Sequence, residues 1–321
     1  MYNKKSIKIS KELNEVLLYQ INNGKMKEVK EKPFKKEIEL HKLCEDNLEN
    51  IFGLKFVKRE FNFNNFRLDT LAFDENTKSF VIIEYKKTSN FSVIDQGYAY
   101  LSLMLNNKAE FILEYNESCN DSLKRDDVDW SQSKVIFVSP IFNNYQKESI
   151  NFKDLPFELW EVKRFSNDTI SFNNIKPSKT SASINSIATT SDEINTVSKE
   201  VLVYTEEDHL NNSSEEIIDL YNEVKEFILS LDDTITIKPK KGVIGFAYKN
   251  KIIVDIHLQK KALKMWLNTN FGSLDDSKGI SRDVTNIGHW GNGDYEIQIF
   301  NDDDLEYIFS LIKQLYRIKS S

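Results

Sequence analysis

The chain has 321 residues, enough for about two domains with separate cores, and its 40% apolar content with a formal charge of -7 describes a soluble globular protein. It contains no apolar run of about 18 residues and no signal-like amino terminus, so the expectation is a cytoplasmic protein without a membrane partner. Two cysteines, Cys44 and Cys119, exclude a disulfide framework or a zinc ribbon, and the scattered His41, His209, His257 and His289 argue against a histidine metal centre.

Residues 1–15 are polar and expected to be loosely held. Residues 16–21 and 25–29 read as a short hairpin, because Asn22-Asn23-Gly24 supplies the positive φ that a tight turn needs. The first 36 residues carry ten basic and four acidic side chains, a strip that could meet phosphates or simply be solvated. Pro33 stops the hairpin and Glu37 opens a helix whose apolar face is Leu40, Leu43, Cys44, Leu48 and Ile51, with Gly53 as its C-cap. Glu37, Leu40, Cys44 and Leu48 lie at helical spacing, which puts a carboxylate on the buried side.

Residues 61–73 and 79–87 read as antiparallel strands joined across a polar turn at 74–78. Phe80-Val81-Ile82-Ile83 is the apolar, β-branched run of a strand buried on both faces. Glu84 and Lys86 point the same way, one pleat apart, and Asp69 shares a face with Leu71 and Phe73, where the register can set it beside Glu84. Two carboxylates a few Å apart repel unless a cation lies between them or one takes a proton. Oxygen ligands of this kind suit a hard ion such as Mg2+, and Lys86 would face the anion that the ion carries.

Beyond this hairpin, residues 93–106 read as a helix presenting Val93, Gly97, Tyr100, Leu101 and Met104 to the sheet. Strands are expected at 110–115, at 134–139, and at 157–165, the last at a sheet edge because it alternates cleanly. From residue 166 to 204 the composition turns to Ser, Thr, Asn and isolated Ile, the signature of a flexible linker. Residues 205–321 form a second α+β unit. Ser213-x-x-Glu216 reads as a capping box and opens a helix; strands follow at 235–239, 242–249 and 251–258, then a short helix at 260–268. A glycine-rich turn at 288–294 leads into a strand at 295–300 and a closing helix. Within this unit, His289-Trp290 could stack against a ligand, and Lys238, Lys240 and Lys241 could face an anion. A turn anchored by tryptophan and a solvated lysine cluster are the alternatives. Residues 1–165 hold 26 basic and 26 acidic side chains against 17 and 24 in the remainder, so the acidic excess belongs to the second half.

An acidic residue, a hairpin and then Glu-x-Lys, here Asp69 followed by Glu84-Tyr85-Lys86, resembles the signature of the PD-(D/E)xK nuclease superfamily. Gln96-Gly97-Tyr98-Ala99-Tyr100 resembles the Gln-x-x-x-Tyr element of RecB-like nucleases, and Glu37 is similar to the superfamily's helix glutamate, most closely that of the EndoMS-type mismatch endonucleases. Arg67-Leu68 stands where the name-giving proline would be. The resemblance covers roughly residues 30–165 and stops short of the DNA-reading domain of the mismatch enzymes, so mismatch specificity is not carried over.

This resemblance implies an α/β, restriction-endonuclease-like mixed sheet flanked by helices in the order α-β-β-α-β-β, and a Mg2+-dependent DNA endonuclease in which Mn2+ can substitute. Its implied metal ligands are Asp69, Glu84 and the Tyr85 carbonyl, with Glu37 holding a second metal or a water ligand. Lys86 would orient or help deprotonate the attacking water, while Gln96 and Tyr100 position the Lys86 strand and a phosphate; for Tyr100 a core-packing role stands beside this. A homodimer would let two such sites cut both strands.

Residues 205–321, through Ile256-His257-Leu258 to Met265-Trp266-Leu267 and Asp283-Val284 to Asp294-Tyr295, resemble a bacterial carboxy-terminal domain sometimes labelled a predicted transport protein, which could bind a protein partner or a small ligand. Two other classes of function stay open: a nucleic-acid-binding or sensory module that keeps the nuclease fold without turnover, and an interaction protein acting through its acidic second half.

Overall fold

The computed structural model describes residues 17–63, 66–87, 92–152, 154–178, 192–211 and 213–321. The expectations for residues 1–15 and for the middle of the linker, 179–191, lie outside these described residues.

Asn23 and Gly24, with φ of 49° and 73°, supply the left-handed pair that a two-residue turn requires. They join β1 (Leu18–Asn22) to β2 (Lys25–Val29) in continuous antiparallel register. The helix expected at Glu37 is two short ones, α1 (Glu37–Glu45) and α2 (Leu48–Phe52), the second closed by left-handed Gly53.

A six-stranded sheet follows, built from β3 (Lys55–Phe63), β4 (Phe66–Asp74) and β5 (Ser79–Tyr85), then α3 (Val93–Asn106), α4 (Lys108–Cys119), β6 (Lys134–Ser139), α5 (Asn144–Ser149), β7 (Phe157–Arg164) and β8 (Ile170–Ile175). The strands lie side by side in chain order; β5, β6 and β7 run parallel and the remaining pairs antiparallel. Every residue of β5 is buried, as its apolar run demands. Phe73, Phe80, Leu101, Met104 and Phe111 share the core under α3 and α4. On the opposite face, Leu40, Cys44, Val81, Ile83, Tyr85 and Val138 form the core beneath α1.

Four expectations are corrected here. The single strand expected over 61–73 is instead the end of β3 and most of β4, which pair antiparallel with each other. Residues 108–119 are a helix rather than a strand at 110–115, because Phe111, Ile112 and Tyr115 are buried while Leu113 is exposed, a helical rather than an alternating pattern. Strand β7 is interior, flanked by β6 and β8. The supposed linker supplies both β8 and α6 (Asp192–Glu200), whose Val197 is fully buried in the α3 core.

The second sheet and its helices comprise α7 (Glu206–Leu210), α8 (Glu215–Ser230), β9 (Thr236–Lys240), β10 (Val243–Tyr248), β11 (Lys251–Gln259), β12 (Ala262–Leu267), β13 (Arg282–Asp283), β14 (Tyr295–Ile299) and α9 (Leu305–Ser320). The sheet order is β13-β14-β12-β11-β10-β9, entirely antiparallel. Helices α8 and α9 cover one face, where Phe227 and Phe309 stack with centroids 4.0 Å apart. Residues 262–267 pair on both sides as β12, so the short helix expected there is a strand. The expected capping box does not form either: Ser214 is the N-cap of α8, without a side-chain cap bond.

The architecture is therefore a mixed α/β chain of more than one domain, with separate cores in the two sheets. No helix among the described residues is long and apolar enough to cross a membrane.

Candidate active site

The ladder between β4 and β5 ends at Thr70 opposite Ile83. One residue further on, Asp69 takes over the pairing with its side chain: Oδ2 accepts the Tyr85 main-chain N–H at 3.0 Å. The cause is a break in the strand's alternation. Leu68 and Leu71 share the α3 core, yet Thr70 turns to Glu45 on α1 and Ala72 joins the α1 core. Asp69 sits at the break, where β3 contributes Glu60 with a positive φ of 49°. Its side chain thus belongs to the strand end, not to the Leu71 and Phe73 face on which simple alternation had placed it.

Glu84 lies on the α3 side of β5 and is 4% exposed. Its Oε1 accepts two donors, Lys86 Nζ at 2.5 Å and Gln96 Nε2 at 3.1 Å, and the Gln96 amide also donates to Tyr100 Oη at 2.8 Å. Gln96 and Tyr100 are four residues apart on α3, one turn, which is why one amide reaches both groups. Glu84 Oε2 is buried without a hydrogen-bond partner. Glu37 enters from α1, exposed at the helix start rather than on its buried side: its Oε2 accepts the Lys87 main-chain N–H at 2.8 Å, fastening the helix start to the end of β5.

His41, absent from the expected site, stands at its centre. It is one turn after Glu37, its Nε2 lies 3.9 Å from Glu37 Oε1 and 3.8 Å from Asp69 Oδ2, and its ring packs on Tyr85 with centroids 4.4 Å apart. Both ring nitrogens are buried without a hydrogen bond. The Glu37 to His41 spacing of four on a helix was the signal that could have found it.

Burial pushes the Asp69 carboxyl above the usual carboxylate range, with the charge of Glu37 acting the same way; the Tyr85 N–H, His41 and Lys86 oppose the rise. Burial and then the Asp69 charge push Glu84 up as well, against the Lys86 ammonium. Two carboxylates that each resist ionisation beside the other are the electrostatic condition a cation relieves.

In donor type the carboxylates of Asp69, Glu84 and Glu37, with an orphaned buried oxygen on Glu84, suit a hard divalent ion, whereas the His41 imidazole is a donor for softer ions. In arrangement the cluster is closed on itself, with Lys86 and Gln96 on Glu84 and main-chain amides on Asp69 and Glu37. Among the described residues, no three His, Cys, Asp or Glu side chains are already grouped as an ion nest.

In the second sheet, His289 is held between the carbonyls of Ile287 and Gly293, and Trp290 packs over Gly242 and against His257. Lys240 is buried against Asp255 at 2.9 Å, an internal ion pair rather than an anion-facing lysine.

The chain is an α/β protein whose first sheet gathers acidic and basic side chains at one strand end. It belongs to the same family as a Haemophilus influenzae protein named "Uncharacterized protein", to which it is 50% identical over 297 residues, 92% of this chain and 98% of that one. Residues 206–319 match a family described as "Domain of unknown function (DUF5655)". Two solved structures show only weak similarity, each at 18% identity and a TM-score of 0.22: a repair endonuclease from Pyrococcus abyssi, over 38% of this chain and 45% of that one, and an EndoMS-dsDNA2 complex, over 39% and 44%. The chain thus spans less than half of either.

Proposed function

We propose that the chain is a divalent-metal-dependent phosphodiesterase acting on DNA, with its site at the adjoining ends of β4 and β5. The observation that supports this reading is the meeting of Asp69, Glu84 and Lys86 at one strand end, two carboxyls held above their usual range beside a lysine, in the order Asp, hairpin, Glu-x-Lys.

Asp69, Glu84 and the Tyr85 carbonyl would hold Mg2+, with Glu37 and His41 around it, and the bound ion would polarise a phosphate oxygen and acidify a water. The remaining steps belong to the chain itself. Lys86, released from Glu84, orients the water for in-line attack and offsets the negative charge that builds on the phosphorane. Gln96 keeps Glu84 in place and ties the end of β5 to Tyr100 on α3. The main-chain amides of Tyr85 and Lys87 hold Asp69 and Glu37, so the acids are positioned by backbone rather than by flexible side chains.

The test is incubation of the full chain with supercoiled plasmid and Mg2+ beside Asp69→Ala and Lys86→Ala. Nicking that needs Mg2+ and is lost in both variants supports the reading. Equal cleavage by all three proteins, or none by the wild type, removes it and leaves a binding or interaction module.

A further inference from the structure

Among the described residues, the β1-β2 hairpin is a two-stranded ribbon that joins neither six-stranded sheet. Isolated ribbons of this kind are marginal in water unless they pack on something. Its register sorts the side chains by face. Tyr19 opposite Glu28 and Ile21 opposite Met26 share one face, while Gln20 opposite Lys27 and Asn22 opposite Lys25 share the other. The first face carries Tyr19, Ile21 and Met26 beside Glu28 and is open to solvent: Ile21 is 69% and Met26 71% exposed. The second face carries lysines.

The ribbon's position is fixed by its exit strand. Strands β5, β6 and β7 are parallel, so Tyr85, Ser139 and Arg164 end at the same edge of the sheet. Glu31 bridges Phe165 just past β7, and the Lys32 N–H donates to the Arg164 carbonyl. At the other end of the same segment, the Lys35 carbonyl accepts Lys87 Nζ at 2.7 Å and Glu37 accepts the Lys87 N–H. Residues 30–37 therefore run along the strand ends from β7 to β5, and the ribbon springs from the rim of the candidate active site.

We infer that the β1-β2 ribbon is a DNA-gripping arm: Lys25 and Lys27 meet phosphates while Ile21 and Met26, at its tip, press against or between bases of duplex DNA next to the scissile phosphate. A two-stranded ribbon is of a size to enter a groove, and apolar side chains at its end are the usual means of unstacking a base step. Charge complementarity selects this occupant. Residues 25–36 carry Lys25, Lys27, Lys30, Lys32, Lys35 and Lys36 against Glu28 and Glu31, with Lys32 3.8 Å from Asp168, a basic strip that complements a phosphate backbone. The inference rests on the proposed DNA substrate and adds the surface that holds it.

The experiment measures anisotropy of a fluorescent duplex with the full chain in chelator, where no cleavage occurs, comparing wild type, Lys25→Ala/Lys27→Ala and Ile21→Ser/Met26→Ser. All four positions are solvent-facing, and matching thermal melts show that the variants fold. The lysine variant is expected to bind about tenfold or more weakly near 0.1 M salt, with a log-log salt slope shallower by about two. The apolar variant is expected to bind and yet lose the fluorescence rise of a 2-aminopurine placed in the duplex. Wild-type binding and Mg2+-dependent cleavage that persist unchanged in both variants overturn the arm and leave the nuclease reading intact. If the wild type neither binds nor cuts DNA, both fall. Should light scattering show a wild-type dimer that the Ile21→Ser/Met26→Ser variant dissociates, with DNA affinity unchanged, the ribbon joins copies of the chain and the arm is overturned.

Discussion

The carboxylate of Asp69 accepts the main-chain N–H of Tyr85 at 3.0 Å, standing in for the carbonyl that a continued β4-β5 ladder would have supplied. One side chain thereby ends the strand pairing and places an acid beside the Glu84 to Lys86 stretch.

The first consequence concerns stability and pH. Asp69 and Glu84 bind their protons more tightly in the folded chain than in the unfolded one. The stability they contribute is therefore fully present below the unfolded carboxylate pKa, near 4, and is lost as pH rises through the raised folded values. In chelator, Asp69→Asn/Glu84→Gln melts higher than wild type at neutral pH, by about 2–4 °C for each kcal/mol of relieved repulsion, and the gap closes towards about pH 4. Mg2+ in excess raises the wild-type melt and leaves the variant's unchanged. Thermal scans across pH check both.

His41 offsets the rise of the Asp69 carboxyl. Replacing it by alanine moves the Asp69 titration upward and, because a buried ring packed on Tyr85 is lost, costs about 1–3 kcal/mol. Carboxyl 13C NMR titration reads the first effect and urea denaturation the second.

Glu45 is buried on α1, where it accepts Thr70 Oγ1 at 2.6 Å and Arg59 Nε at 2.5 Å. Glu45→Ala leaves both donors without this acceptor and loosens the strand that carries Asp69. The expected loss is about 2–4 kcal/mol in urea denaturation, with plasmid nicking reduced in proportion to misplacement of Asp69.

Asp255 and Lys240 form an ion pair with almost no solvent exposure, and Asp255 also accepts the Asn292 N–H and side-chain amide, both at 2.8 Å. Removing one partner strands a buried charge, so Asp255→Ala is expected to cost about 3–5 kcal/mol, and Asp255→Leu/Lys240→Met less than the single change. Denaturation followed by Trp266 and Trp290 fluorescence in a Trp130→Phe/Trp160→Phe background measures this in the second sheet.

Much of the chain was legible because its patterns are one-sided. The Asn-Gly turn, the all-apolar β5 and the amphipathic α3 each leave one conformation that buries the right atoms. The misreadings share a cause as well. Residues 110–115 hold a short apolar run that either period can explain, and only the exposure of Leu113 beside buried Ile112 separates them. Strand β12 is made of good helix formers, Ala262, Leu263, Lys264 and Met265, and is held as a strand by pairing on both sides, which local propensity does not register. Strand β8 hides in polar composition because it is an edge strand, half exposed along its length.

In the candidate site, Asp69, Glu84 and Lys86 stand out as charges on an apolar pair of strands, whereas Gln96 is picked out only through the resemblance of residues 96–100 to a family element. The orientation of Asp69 could not be picked out, since it depends on a break in alternation opposite Glu60. His41 was passed over because four scattered histidines look unrelated in sequence, and only the fold sets this one between Glu37 and Asp69.

The central claim is that these acids close on a divalent ion, and anomalous diffraction from crystals of the full chain soaked in Mn2+ tests it most directly. A single strong peak is expected within coordinating distance of Asp69 and Glu84, with Lys86 Nζ moved off the Glu84 carboxylate. Crystals that take up Mn2+ elsewhere, or not at all, while the Lys86 to Glu84 pair stays closed, would contradict it.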